Sequence, residues 1–234
     1  MIQPERWSKA QDYEKNWWNH QQRTLDLTIY QFYADDIQQF LHGVLSINEN
    51  THILEIGSGP VGILTFLKSN YRYALDPLEH YYSTVPTFVE FRDPRVQYHD
   101  GKGEQLPFAD AQFDFIIMDN VLDHCENPEQ VMKEMTRVLK PNGIVFFRQN
   151  VYHRWGAFVR WLMELFEIDR GHPFTFTRAS LQQLLKRHNL SVVKMKRTGY
   201  FSRWKKELTS GKRMDLIKAL LLVNRDRVSY VLKK

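Results

Sequence analysis

Cysteine is almost missing from this chain: Cys125 stands alone among 234 residues. A single thiol excludes an intramolecular disulfide framework and a cysteine-ligated zinc cluster, and a reducing cytosol is the compartment that requires neither. Glycine (11) and proline (9) are too scarce for a fibrous or low-complexity protein. No run approaches the roughly 18 uninterrupted apolar residues of a membrane span. The first ten residues carry Pro4, Glu5, Arg6 and Lys9 with no apolar run behind them, so neither a signal peptide nor a transit peptide is expected. These absences together predict a soluble, cytoplasmic protein.

What is present is a globular composition, 43% hydrophobic and 25% charged, which supplies a sizeable core. At roughly 150 residues per domain the length suggests one domain with an addition. The net charge of +5 permits an anionic partner without demanding one. Its basic residues gather late, in Arg203, Lys205, Lys206, Lys212, Arg213, Arg225, Arg227, Lys233 and Lys234. A solvated face with a basic tail accounts for that pattern.

The first 46 residues read as two aromatic-rich helices, an N-terminal cap or lid. Leu25, Ile29, Phe32, Tyr33, Ile37 and Phe40 repeat at helical spacing, with Asp36 as the polar exception. The period then changes. His52 to Ile56 is a short apolar strand closed by Gly57-Ser58-Gly59-Pro60, and Val61 to Leu67 can start a helix. Tyr71 to Leu75, Arg95 to His99, Phe113 to Met118 and Ile144 to Phe147 read as further strands, with a helical stretch at Glu79 to Val85. Asn127-Pro128 places an N-cap before the first helical position, opening a helix that ends at Lys140-Pro141-Asn142-Gly143. A segment from Ala157 to Ile168, a loop from Asp169 to Pro173 and a helix from Thr177 to His188 follow; Leu190 to Met195 and Val228 to Leu232 are the last two strands. Strands alternating with helices require crossover connections, hence a doubly wound, mostly parallel, seven-stranded α/β sheet. Residues 47–234 form that domain, with helical insertions around 151–176 and 200–225.

Gly57-Ser58-Gly59-Pro60-Val61-Gly62 matches Gly-x-Gly-x-x-Gly, which allows a tight turn and close approach of a ligand to bare main chain. Alone it fits a nicotinamide dinucleotide as well as another nucleoside. Asp76, at the end of the second strand, is where an acid can accept hydrogen bonds from both ribose hydroxyls. Glu55 before the turn, Gly103-Glu104-Gln105-Leu106-Pro107-Phe108, Phe113-Asp114 and Arg137-Val138-Leu139-Lys140-Pro141-Asn142-Gly143 are foreign to a dehydrogenase fingerprint. With these motifs the sequence resembles the class I S-adenosylmethionine-dependent methyltransferases, in particular the type 11-like subfamily with a Leu-Pro-Phe turn and a Val-Leu-Lys-Pro helix end. The resemblance covers about residues 50 to 150 and implies a Rossmann-like fold with S-adenosylmethionine as cofactor.

It further implies that Gly57, Ser58 and Gly59 lie against the methionine part of the cofactor, and that Glu55 holds the loop. Asp76 would take the ribose diol, Pro77 or Leu78 one face of adenine, Gly103 and Glu104 the adenine edge, and Asn120 the methionine moiety beside the acceptor pocket. Two positions depart from the family pattern. Val61 stands where Gly is usual, and Lys102 stands where an acid commonly accepts the adenine amino group; lysine has no acceptor for it. Either Asp100 replaces that acid or adenine is held by backbone and apolar contacts.

Methyl transfer from a sulfonium needs alignment and exclusion of water, and a hydroxyl acceptor also needs a base. An imidazole titrates near neutrality, which makes His124, after the fourth strand, and His172, in Gly171-His172-Pro173, candidate catalytic bases. Packing at the pocket wall is the other reading of His124, and His153 is a weaker candidate. Asp119, Asp123 and the histidines have the chemistry to bind a metal, but no helical His-x-x-x-His or comparable ligand spacing is visible, so a metal-independent reaction is expected. Trp7, Tyr13, Trp17 and Trp18 suit either a packed cap or a closing lid, and Leu216 to Val223 either packing or a membrane surface. The partner expected is a small-molecule or glycan-precursor acceptor methylated at O or N, the enzyme being a monomer or homodimer. An RNA substrate and a non-catalytic cofactor binder are the alternatives.

Overall fold

A computed structural model of the chain describes residues 2–166, 168 and 171–234, apart from the Met214 side chain. Asp169 and Arg170 of the predicted loop lie outside the described residues. Seven strands, β1 (His52–Ile56), β2 (Tyr71–Asp76), β3 (Val96–Asp100), β4 (Phe113–Asp119), β5 (Leu139–Val151), β6 (Ser191–Thr198) and β7 (Asp226–Lys233), form one sheet in the order β3-β2-β1-β4-β5-β7-β6. The first five are parallel, and β7 runs antiparallel between β5 and β6. This is the expected Rossmann-like sheet. Its strand order reverses between β1 and β4, which puts the ligand crevice at the carboxyl ends of the central strands.

Side-chain alternation explains the layers. Ile116 and Met118 of β4, with Leu54 and Ile56 of β1, face a core shared with α5 (Pro128–Val138) and α7 (Arg178–Arg187). Phe115, Ile117 and Ile53 face the opposite side, against Ala34, Ile37 and Leu41 of α2 (Leu27–Leu41). Buried on both faces, these strands read as continuous apolar runs. The caps follow the sequence: Asn127 accepts from the Gln130 N–H ahead of Pro128, and Thr177 and Ser180 close a reciprocal capping box.

Several elements differ from expectation for identifiable reasons. Val61 to Leu67 forms only a short 3₁₀ turn, Ile63–Phe66. Its N–H groups at Ile63 and Leu64 are taken by Glu55, and the carbonyls of Leu64 and Leu67 by the buried Arg72 guanidinium at 2.8 and 3.0 Å, so one turn is capped at both ends. The stretch after Leu78 splits into α3 (Glu79–Tyr82) and α4 (Pro86–Glu90), because Val85 precedes a proline and is extended. β5 is longer than Ile144 to Phe147 because both of its edges are paired. On α2 the buried face is Ala34, Ile37 and Leu41; Ile29 and Phe32 stay exposed, and Asp36 pairs with Lys196 at 2.9 Å and Arg148 at 3.5 Å.

α1 (Pro4–Gln21) and α6 (Arg154–Leu165) are joined by Arg6 Nε donating to Glu164 at 2.7 Å. Late in the chain, α8 (Tyr200–Leu208) and α9 (Arg213–Leu220) pack together, with Trp204 Nε1 donating to the Ala219 carbonyl. No helix among the described residues is long and apolar enough to cross a membrane.

Arg72 is 1% exposed and also donates to Asp93 at 2.9 Å. Replacing it by Ala strands two carbonyls and removes a charge partner, so urea unfolding of Arg72→Ala should show a loss of about 3–5 kcal/mol.

Candidate active site

The glycine turn leaves β1 at the crevice. Gly57, Gly59 and Gly62 all have positive φ, and a Cβ on Gly57 would lie 2.6 Å from Val121 Cγ2. Only glycine fits there. Glu55, 3% exposed, accepts from Ile63 N at 3.1 Å and Leu64 N at 3.2 Å. Burial pushes its pKa up to about 8, against the pull of those two N–H groups and helped by the fields of Asp119 and Asp76.

Asp76, at the end of β2, accepts from Leu78 N on Oδ1 and Gly59 N on Oδ2, both at 2.9 Å. It therefore fixes the far side of the glycine turn while each oxygen keeps a second lone pair. Burial raises its pKa to about 6, opposed by the two N–H donors. At the end of β4, Asp119 is held by the buried Arg148, whose guanidinium also lies over the Tyr33 ring. Asn120 follows with φ 58°, a left-handed conformation asparagine tolerates, and its Oδ1 accepts from the Asn150 backbone at 3.1 Å.

These strand ends open into a cavity of about 600 Å³, within the usual range for a small-molecule site. Glu55, Gly57, Ser58, Gly59, Asp76 and Pro77 line one part of it, and Gly103, Glu104 and Asn120 another. His124 and His172, brought together from distant segments, complete the wall. α1 and α2 supply a roof that sequence reasoning had named only as one of two alternatives: Trp7, Tyr13, Trp17 and Trp18 all line the cavity, with Glu14, Tyr30 and Tyr33. Trp18 also packs edge-on against Tyr82 and Phe88, so packing and roofing are the same contact.

Lys102 lines the cavity but has other partners. Its Nζ lies 3.8 Å from the Trp7 ring centroid and 3.1 Å from Glu126 Oε2, which ties α1 to the loop after β3. Asp100 is not in the lining and stands 3.4 Å from His80. Glu104 Oε1 accepts from Glu126 N and Asn127 N, anchoring the approach to α5. His153 is the α6 N-cap and bonds the Leu222 carbonyl, away from the cavity.

The His124 and His172 rings are 4.5 Å apart. Glu14 lies 3.9 Å from His124 Nδ1 and Asp123 3.9 Å from Nε2. Asp123, His124 and His172 offer atoms within 4.8 Å of one another, a set with the chemistry to hold a divalent cation, which spacing along the chain did not reveal. Cys125 is buried, and burial, with the fields of Glu104 and Asp123, pushes its thiol up, which suits packing rather than nucleophilic attack. Arg225 and Arg227 also line the cavity; they were visible only as part of a basic tail.

Residues 54–147 match the family model described as a methyltransferase domain. That stretch is a methyltransferase domain, consistent with the class I S-adenosylmethionine-dependent methyltransferases. Among curated relatives, a glycine/sarcosine/dimethylglycine N-methyltransferase from Actinopolyspora halophila is 32% identical over 47% of this chain and 20% of that protein. A thiol S-methyltransferase from Homo sapiens is 26% identical over 56% of each. The chain thus spans between a fifth and just over half of the length of these two relatives. A solved geranyl diphosphate C-methyltransferase from Streptomyces coelicolor superposes with a TM-score of 0.64 at 10% identity, covering 86% of this chain and 78% of that one, a likeness of fold.

The methyltransferase domain indicates S-adenosylmethionine as cofactor, and the residues present fit it. A turn too tight for side chains, a carboxylate with free lone pairs at the second strand and an aromatic roof match an amino-acid end, a ribose diol and an adenine. Lys102→Ala should weaken binding of the demethylated cofactor by no more than about threefold in calorimetry, because an exposed ion pair and cation–π contact contribute little. The same change should speed proteolytic cleavage within α1.

Proposed function

We propose that this chain is an enzyme that transfers the methyl group of S-adenosylmethionine to oxygen or nitrogen of a small molecule, a glycan precursor among the candidates. The observation that carries this reading is the convergence of the cofactor candidates and both histidines on one cavity. The cofactor supplies an activated methyl group on a sulfonium; the chain's residues bind, align and exclude water. Gly57, Ser58 and Gly59 offer bare main chain to the methionine portion, and Asn120 borders it. Asp76 accepts from the ribose hydroxyls. Pro77 covers adenine, and Gly103 leaves its edge to backbone and apolar contacts, since Asp100 pairs with His80 and Glu104 with the chain before α5.

His124 or His172 takes the acceptor proton. His124 lies between the carboxylates of Glu14 and Asp123, each 3.9 Å from one of its ring nitrogens. Its place directly after β4 holds it on the sheet, whereas His172 reaches in from a loop.

Removing the Asp76 carboxylate deletes charge-assisted bonds of about 1.5–3 kcal/mol, so calorimetry on Asp76→Ala should show at least about tenfold weaker cofactor binding. Unchanged affinity would remove Asp76 from the site. Because the carboxylate is the accepting form, wild-type affinity for the demethylated cofactor should fall as the pH is lowered through about 6, and Asp76→Ala should lose that dependence. His124→Ala should cut methyl transfer to a hydroxyl acceptor about 10²–10⁴-fold while cofactor binding persists. Full turnover in both His124→Ala and His172→Ala would exclude an imidazole base.

A further inference from the structure

Two arginines, Arg225 and Arg227, line the cavity, and a third, Arg203, lies close to them. Arg225 and Arg227, half-buried at the start of β7, line it together with Asn150, His124 and His172. Arg203, on α8, packs behind them, and its Nη1 is buried without a hydrogen-bond partner. Burial and then the fields of Arg225 and Arg227 push the Arg203 guanidinium below its usual value, a sign of how close the three charges are.

The nearby carboxylates do not balance them. Asp226 is bound by Arg197 at 2.6 and 2.9 Å through Oδ2 and by the Arg227 backbone N–H through Oδ1. Glu207 is the carboxylate whose field opposes the other two on Arg203, and its Oε2 accepts from Asn224. Around Arg203 itself three guanidiniums face one carboxylate, a local excess of about two positive charges apart from Glu14 and Asp123 beside His124, and guanidiniums keep their protons across the physiological range. A phosphate group carries about −1.5 to −2 near neutrality, whereas a carboxylate carries one negative charge. Guanidinium forks also match the spacing of phosphate oxygens.

We infer that the Arg203, Arg225 and Arg227 cluster is the anion-binding part of the acceptor site, and that the acceptor is a small phosphorylated molecule. This deepens the methyltransferase reading and rests on it. The phosphate or diphosphate sits against the arginines, which leaves the nucleophilic oxygen or nitrogen of the same molecule directed toward the histidines and the glycine turn. The cluster acts by binding and orientation, taking no part in the displacement itself.

The test is a titration of the full-length chain, saturated with demethylated cofactor, with inorganic phosphate and with pyrophosphate. Both anions should bind, pyrophosphate more tightly. Arg225→Gln and Arg227→Gln should each weaken pyrophosphate by about tenfold or more, the loss of one charge-assisted pair. Lys205→Gln and Lys206→Gln, on exposed side chains of the same helix as Arg203, should leave it unchanged. Cofactor titrations of the arginine variants report folding independently and should remain within about threefold of wild type. Absence of anion binding, or equal losses in the lysine variants, would overturn the inference while leaving the methyltransferase reading intact. Failure of the wild-type chain to bind cofactor would instead bring down that reading. A short RNA oligonucleotide that binds far more tightly than pyrophosphate and displaces it would show that the arginines serve a nucleic-acid backbone, which would also overturn the small-molecule assignment.

Discussion

The Glu55 carboxylate is the constraint on which the site depends. It lies on the second strand face at the end of the central strand β1, where apolar residues would otherwise continue, and it caps the short turn at Ile63–Phe66 from below. That bond forces the chain through Gly57, Gly59 and Gly62 in conformations with positive φ. Arg72 grips the other end of the turn, and Asp76 holds Gly59 from β2. Buried carboxyl groups and a buried guanidinium thus do here what a longer helix would do by propagation: they fix the direction of a bare stretch of main chain. Their desolvation is the cost of that geometry, and it shows in the raised pKa of both Glu55 and Asp76.

A second network joins the ends of β4 and β5 to the helix above them. Arg148 on β5 joins Asp119 at the end of β4 to Asp36 of α2 and lies over Tyr33, so a roof helix is bound to the sheet through one buried guanidinium. α1 is fixed by separate contacts, Trp18 on Tyr82 and Phe88, Arg6 on Glu164 and Trp7 on Lys102. The departure at Lys102 thereby acquires a physical reason. The position commonly used to read adenine is used here to hold the roof.

The motifs that identify the family divide into two groups. Gly57 to Gly59 and Asp76 build the cavity. Leu106-Pro107-Phe108 and Arg137 build the frame: Arg137 donates to the carbonyls of Leu106 and Phe108, and Leu106 N donates to Glu134. Asp114 likewise accepts from His52 N and Lys140, joining β1, β4 and β5 near their amino ends. Their spacing is recognisable because each closes a contact that the fold needs at one place.

Local patterning alone determined the strands, the main caps and the part of the cavity around the glycine turn and Asp76, because those features depend on period, on glycine turns and on residues at strand ends. Helix lengths were less legible where a buried side chain ends the element from a distance, as Glu55 and Arg72 do after the glycine turn. The rest of the cavity wall was decided by tertiary structure. His124 and His172, Glu14 on α1, and Arg225 and Arg227 before and within β7 carry no common spacing. They meet because the sheet brings β4, β5 and β7 side by side and the N-terminal helices fold back over their ends. Recognition there comes from side chains far apart in the chain, and no linear pattern encodes which of them will share a wall.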